Sequence, residues 1–117
     1  MADWLFDKSG RATLILDDDC IRDPNGLVVA WISGGSVHTL GGAHCGWFED
    51  GVVYDSGNRA LAFVSTATGL SRPGLAGAPG MPGFAGKPGK PGLSGVPGRP
   101  GRSGWSAQDA GTYFMAS

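Results

Sequence analysis

A sixteen-residue repeat runs through the first part of this 117-residue chain. The first copy reads LFDKSGRATLILD and the second reads IRDPNGLVVAWIS. The four copies begin at Leu5, Ile21, Val37 and Val53. Because a turn and a large apolar position recur in one frame four times, chance is a poor explanation, and we expect four copies of one structural unit.

Each copy predicts a β-hairpin. The sequences DKSG, from Asp7, and DPNG, from Asp23, have the chemistry of a type I turn followed by a G1 bulge. The fourth turn residue needs a left-handed φ, which glycine and asparagine adopt most easily. In this register Asp7 pairs with Arg11, and Leu5 faces Thr13. The four turn positions are Gly10, Gly26, Gly42 and Asn58.

Four like hairpins favour an all-β fold, a shallow barrel closed around a pseudo-fourfold axis, because closure removes exposed strand edges. One ring of mostly small residues should crowd near the axis: Leu14, Ala30, Gly46 and Ala62. The next ring should face the opposite side: Ile15, Trp31, Trp47 and Phe63. This second ring is either the core of a very small barrel or the lining of an apolar channel open at one end.

Glycine then occupies every third position through ten unbroken triplets, and proline often fills the third place of the triplet. This is the collagen pattern, in which three chains wind together and only glycine fits at the axis. As a triple helix the tract would run roughly 90 Å; the alternative is an extended or disordered single-chain linker. The triplet glycines are Gly74, Gly77, Gly80, Gly83, Gly86, Gly89, Gly92, Gly95, Gly98, Gly101 and Gly104.

The chain therefore divides into four parts: a four-repeat head (1–67), a linker (68–73), the triplet tract (74–104) and a short aromatic C-terminal segment (105–117). The C-terminal segment either caps a triple helix or folds back onto the barrel.

Charge separates the head from the rest of the chain. The head carries four Lys/Arg and nine Asp/Glu, a net of −5, and the remainder carries five against one, a net of +4. An acidic surface argues against nucleic-acid binding by the head. Cations of the tract, such as Lys87, could instead meet the acidic run 17–19 of a neighbouring molecule.

The N-terminal sequence MADWLFDKSG has neither the basic nor the apolar region of a signal peptide, and no stretch of the chain predicts a transmembrane span. The expected location is cytoplasmic, although a phage structural protein, or one exported by another route, would look the same. Two cysteines, Cys20 and Cys45, are too few for a disulfide framework, so we expect buried thiols.

The sequence offers little catalytic chemistry. His38 and His44 are predicted cross-strand neighbours, but a metal site would need at least one further ligand. We find no nucleophile and base at meaningful spacing and no phosphate-binding loop. We therefore assign no metal and no cofactor, and we do not expect an enzyme.

The D-x-x-G hairpins with their large apolar position resemble the four-fold β-flower family, a shallow symmetric β-barrel. The resemblance extends from residues 1–67 to the C-terminal GWSAQDAGTYF, where Trp-Ser precedes closing aromatics. The third repeat departs from the pattern, since its turn begins with Thr39. The resemblance implies no established role. The family's barrel is similar to the Tubby C-terminal domain, which binds phosphoinositide lipids, so lipid binding is an analogy.

Two functions remain open. The first is a structural or interaction protein whose head is displayed on, or trimerised by, a collagen-like stalk, so that a homotrimer binds through three heads at once. The second is a module for lipid or another small apolar ligand, which would bind at Ile15, Trp31, Trp47 and Phe63, with the tract as a flexible linker.

Overall fold

The chain forms a closed barrel of eight antiparallel strands, each paired with the next in sequence and the last with the first. The computed structural model describes residues 2–67, 74–75, 77–89, 92–96, 98–101 and 104–114. The strands are β1 (Ala2–Phe6), β2 (Ala12–Asp17), β3 (Cys20–Arg22), β4 (Val28–Ser33), β5 (Ser36–Thr39), β6 (His44–Glu49), β7 (Val52–Tyr54) and β8 (Ala60–Phe63). The predicted all-β barrel of four hairpins is confirmed.

The turns form as their sequences predict. The main-chain N–H of Asp7 donates to the Arg11 carbonyl at 2.9 Å, which confirms their pairing. The Asp7 carboxylate accepts the main-chain N–H groups of Ser9 and Arg11, at 2.9 and 3.1 Å, and so holds the turn closed. The fourth turn positions have the expected left-handed backbone: Gly10 (φ 83°), Gly26 (φ 90°), Gly42 (φ 95°) and Asn58 (φ 61°).

The third turn reaches the same shape without an aspartate. The main-chain N–H of Thr39 donates to the Ala43 carbonyl at 2.8 Å, as in the other turns. The Thr39 hydroxyl accepts the Ala43 N–H at 3.3 Å, in the place of a carboxylate oxygen. A threonine side chain can make such a local bond, although more weakly than aspartate.

A β-bulge in each hairpin shifts the strand register by one residue from the register that the sequence predicts. Leu5 pairs with Leu14, and Phe6 with Ala12, so the expected pairing of Leu5 with Thr13 is wrong. The extra residue bends the strand while leaving the turn itself unchanged. The same shift recurs in every hairpin, and the bulged residues are Thr13, Val29, Cys45 and Leu61.

The barrel interior is filled by the ring of mostly small residues predicted near the axis. Leu14, Ala30 and Ala62 are at most 1 % exposed. The remaining member of the ring is Gly46, where an added Cβ atom would overlap the Tyr54 carbonyl oxygen. Glycine is therefore required at Gly46 by close backbone approach.

The triplet tract lies along the outer wall of its own barrel. The main-chain N–H of Ala85 donates to the Gly26 carbonyl at 3.2 Å, and that of Ser94 donates to the Gly42 carbonyl at 2.9 Å. The two donors are nine residues apart in the tract, while their acceptors are sixteen apart in the barrel. One hairpin therefore corresponds to three triplets.

This correspondence reveals a nine-residue repeat within the triplets. The sequences GLAGAPGMP, GFAGKPGKP and GLSGVPGRP begin at Gly74, Gly83 and Gly92. The second place of each is large and apolar, and the third is alanine or serine. The glycine period of three was evident from the sequence, whereas this longer period becomes evident once the tract is seen against the four hairpins.

The tract does not project as a stalk in this structure. An extended tract of ten triplets would run roughly 90 Å, whereas the molecule measures 37 × 36 × 23 Å. Instead, the tract bonds to the turns of its own barrel, so this structure does not show the predicted stalk. A trimer joined through the tract stays a prediction.

The predicted meeting of tract cations with acidic groups occurs within one molecule. Lys87 Nζ lies 3.0 Å from Asp19 Oδ1, in the acidic run that follows β2. Arg99 makes a second ion pair, with Glu49, at 2.9 Å. The acidic barrel and the basic tract are thus complementary in cis.

The C-terminal segment folds back over the end of the barrel where the turns meet. Trp105 pairs with Ala60 in a parallel bridge, and Ser106 donates a hydrogen bond to the Asp55 carboxylate. A single helical turn, α1 (Ala110–Tyr113), follows, and Phe114 is only 5 % exposed. The segment therefore completes the barrel as a cap.

Candidate functional site

The large apolar ring predicted to bind a ligand is buried in this structure. Its members are between 0 and 5 % exposed: Ile15, Trp31, Trp47 and Phe63. They face outward, since Phe63 packs against Trp105 at 5.7 Å and Trp47 lies beneath Arg99 at 5.8 Å. The ring does not line an open channel in this structure. Ligand binding by it stays a prediction, and would require the residues that cover it, such as Arg99 and Trp105, to move.

An apolar groove lies instead between the turns of the second and third hairpins. It is a cavity of about 480 Å³. Leu27 and Leu40 stand at its rim and are 51 and 44 % exposed, whereas Phe114 lies buried in its lining. The full lining consists of Asp23, Leu27, Val28, Val29, Thr39, Leu40, Gly41 and Phe114.

The two turns that form the groove are held rigidly. The Asp23 carboxylate accepts the main-chain N–H groups of Asn25 and Leu27, at 2.9 and 3.0 Å. Thr39 plays the same part in the third turn. The apolar walls are thus positioned by turn chemistry that repeats elsewhere in the barrel, whereas the leucines at the rim are particular to these two hairpins.

Neighbouring gaps between turns are occupied by the C-terminal segment. The Tyr113 hydroxyl accepts the Ser56 main-chain N–H at 3.0 Å and donates to the Cys45 carbonyl at 2.7 Å, which ties the third hairpin to the fourth. Beside the first turn lies a smaller cavity, about 260 Å³, whose lining includes Lys8 and Asp109. That cavity is polar and charged, so the groove differs from it in chemistry.

A buried arginine joins the second hairpin to the tract. Arg22 is 3 % exposed, and its guanidinium donates to the carbonyls of Gly26 and Ala85, at 2.6 and 2.7 Å. Its Nε donates to the Asp17 carboxylate at 2.9 Å, and its Cζ lies 4.5 Å from the centre of the Phe84 ring. Sequence reasoning missed this residue, because an arginine in a strand gives no sign of what will cover it.

Arg99 makes the corresponding contact at the fourth hairpin, from the tract side. Its Nε donates to Asn58 Oδ1 at 2.8 Å, while its other end pairs with Glu49. Its Cζ lies over the Tyr54 and Trp47 rings, at 5.0 and 5.8 Å. Asn58 also donates to the Pro100 carbonyl at 2.6 Å, so the turn residue predicted only for its backbone has a side-chain role.

The two histidines are cross-strand neighbours, as predicted. His38 pairs with His44, and their ring centres are 5.4 Å apart. The His44 ring also packs against Trp47 at 4.6 Å. Burial and the neighbouring His38 lower the pKa of His44. Within the described ranges, no group of three or more His, Cys, Asp or Glu side chains could hold a metal.

Neither cysteine forms a disulfide. Cys20 is buried, as expected, and Cys45 is half-buried. Burial raises the pKa of the Cys45 thiol to about 12, and burial also raises that of Cys20. Both thiols are therefore protonated near neutral pH, which is the unreactive form.

These features define the chain as a pseudo-fourfold β-barrel wrapped by its own glycine-rich tract. The chain belongs to the 4-fold beta flower protein family, whose model matches residues 3–114. The match spans the tract and the C-terminal segment as well as the barrel. No curated protein and no solved structure matches the chain. In the portion that the structure describes, no helix combines the length and the hydropathy that crossing a bilayer requires.

Proposed function

We propose that this protein is a non-enzymatic binding module, and that the groove between its second and third hairpins takes one small apolar ligand or an acyl chain. The observation that carries the proposal is a cavity of about 480 Å³ with an apolar lining and two half-exposed leucines at its rim. Ligand pockets in proteins have volumes of about 300–1,000 Å³ and are mostly apolar.

The lining also indicates which part of a ligand it would bind. Five of its eight residues are Leu, Val or Phe, and it includes no lysine or arginine. Its one carboxylate, Asp23, already accepts two main-chain N–H groups. Because recognition of a phosphate headgroup needs cations or free N–H donors, we propose that the groove binds a hydrocarbon portion rather than a phosphoinositide headgroup.

Methyl NMR would test this proposal directly. The full-length protein, labelled at Leu and Val methyl groups, is titrated with monomeric decanoate. We expect saturable shifts at Leu27, Val28 and Leu40, and weakened binding in Leu27→Asn and Leu40→Asn. Leu75→Asn is the matched control, because Leu75 is 42 % exposed but lies outside the groove. Shifts that spread evenly over Leu75 and the groove would show non-specific association and refute the proposal.

Assembly through the triplet tract is a second proposal, and one observation favours it. A Cβ atom added at Gly80, Gly86 or Gly89 would meet nothing within 4 Å. Packing against the barrel therefore does not explain glycine at these positions, whereas a triple helix would. Such assembly would require the tract to leave its barrel, and its test is given in the Discussion.

A further inference from the structure

The third hairpin holds the tract through groups that surround a histidine pair. Ser94 makes two bonds there: its main-chain N–H donates to the Gly42 carbonyl at 2.9 Å, and its hydroxyl accepts the main-chain N–H of His44 at 2.9 Å. His38 Nδ1 meets the same Gly42 carbonyl at 3.3 Å. The two bonds of Ser94 thus involve a carbonyl that His38 also contacts and the main-chain N–H of His44 itself.

The second hairpin uses a permanent cation for the same task. Arg22 and His38 are sixteen residues apart, and each side chain reaches its own turn carbonyl. Arg22 has a counter-ion in Asp17, at 2.9 Å. Asp17 precedes Arg22 by five residues, and the residue that precedes His38 by five is Ser33, which brings no charge. A charge on the histidine pair is therefore left without the partner that the arginine has.

We propose that His38 and His44 form a pH-sensitive latch, and that acidification releases Ser94 from the third hairpin while the tract stays bound at the second and fourth. Both ring nitrogens of His38 face oxygen atoms, the Gly42 carbonyl and the Ser36 hydroxyl, and that hydroxyl also bonds to the Ser33 carbonyl at 2.7 Å. The His38 and His44 ring centres are 5.4 Å apart, so a positive charge on His44 is repelled by positive charge on His38.

Burial and the neighbouring His38 outweigh the one interaction that favours a charge on His44, a hydrogen bond with the Gly46 main chain. His44 Nε2 is buried and has no hydrogen-bond partner among the described residues. Protonation would add a donor that could be satisfied only if the ring turned toward water. Since His44 begins β6, rotation of its ring out of contact with His38 and Trp47 disturbs the main-chain N–H that bonds to Ser94.

Among the described residues, none around the pair supplies a compensating charge. β4 has no ionisable residue. On β6, the Cys45 thiol is neutral, and Glu49 pairs with Arg99. The described tract residues 92–96 are uncharged, and Lys90 lies outside the described residues. From the C-terminal side, the Tyr113 hydroxyl bonds to the Cys45 carbonyl and to the Ser56 main-chain N–H.

The direction of the pH effect follows from burial and like charge. The pKa of His44 in the folded chain lies below its ordinary value of 6.5. The unfolded or released state therefore binds more protons between that lowered pKa and 6.5, so the latch is fully closed above about pH 6.5 and loosens as the pH falls.

Amide hydrogen exchange of the full-length protein tests the latch with a built-in control. Ser94 and Ala85 donate to equivalent turn carbonyls, but only Ser94 lies beside the imidazoles. After correction for intrinsic exchange rates, we expect the protection of Ser94 relative to Ala85 to fall about tenfold between pH 7.5 and pH 5. In His44→Gln, which cannot be protonated, the ratio should stay constant.

Two results would overturn the proposal. The first is a ratio of Ser94 to Ala85 protection that does not change with pH in the natural chain, including the case in which both amides lose protection together. The second is a fall in the ratio that persists in His44→Gln. If that variant folds poorly, His38→Gln provides the same test, because it removes the other half of the charge pair.

Discussion

The carbonyl oxygen of Gly83 occupies the space where a Cβ atom on Gly26 would have to lie. The same relationship joins Gly74 to Gly10, one hairpin earlier and nine tract residues earlier. The turn glycines thus serve two purposes, since they adopt a left-handed backbone and also let the tract approach the barrel.

Alanine at Gly26 should be far more damaging than alanine at another left-handed glycine. Gly34→Ala meets nothing within 4 Å, so it should cost about 1 kcal/mol from backbone strain alone. Gly26→Ala adds the overlap with Gly83, and we expect a loss of about 3 kcal/mol or more. Chemical denaturation of both variants checks the difference. Equal losses would mean that the tract does not rest on this turn in solution.

Alanine at Gly86 distinguishes the wrapped tract from a triple helix. In the wrapped state a Cβ at this position meets open space, so Gly86→Ala should leave stability within about 1 kcal/mol of the natural chain. In a triple helix one such change disrupts the winding of all three chains. Light scattering at about 4 °C and 40 °C, combined with thermal melts, would decide. The mass of a single chain at both temperatures would support the wrapped tract, whereas a threefold mass that Gly86→Ala abolishes would establish the trimer.

Removing the Arg99 guanidinium should loosen the tract at the fourth hairpin. Arg99→Met keeps much of the apolar stem but loses the bond to Asn58 and the ion pair with Glu49. Because the group is partly exposed, we expect a cost of about 1–2 kcal/mol. Lys87→Met is the comparison, since the exposed ion pair of Lys87 with Asp19 should contribute nothing measurable. Limited proteolysis of the tract provides a second readout.

The first turn should contribute to stability against acid. Burial alone would raise the pKa of Asp7, but hydrogen bonds from Ser9 and Arg11 outweigh it and lower that pKa below its ordinary value of 3.8. The stability from Asp7 is therefore complete above about pH 4 and is lost as the pH falls through the lowered pKa. Asp7→Asn should flatten this acid limb and cost less than about 1 kcal/mol at pH 7. Asp3→Asn, at an exposed position, is the control, and denaturation midpoints between pH 2 and pH 7 are the measurement.

The barrel could be predicted from sequence because its information is local and repeated. Each turn carries its own chemistry, and four copies in one frame leave few ways to pair the strands. Counting residue pairs outward from the turn could not reveal the bulge. The extra residue at Thr13 changes the strand register without changing the hydrophobic pattern of its neighbours. The inward ring was correctly placed for the same reason, since a shift shared by all hairpins preserves the ring.

The tract and the groove depend on long-range contacts that the sequence does not display. Strict glycine triplets predict extended backbone, but extended backbone is compatible both with a triple helix and with a single chain that packs along the outside of the barrel. The positions that distinguish them, such as Ala85 and Ser94, recur every nine residues and are small and inconspicuous. The groove exists because Phe114 docks beside Leu27 and Leu40, more than seventy residues away in sequence.

The pairing of a sixteen-residue unit with a nine-residue unit links the history of the two halves of the chain. A duplication of one hairpin in an ancestor would leave the triplet tract nine residues too short, and a loss would leave it nine residues too long. A change in the number of hairpins and a matching change in tract length therefore have to be inherited together. Inserting one glycine triplet would preserve the collagen-like pattern yet move every later contact, from Ser94 to Arg99, off its hairpin. Among relatives, the tract length should therefore vary in steps of nine residues, one step for each hairpin.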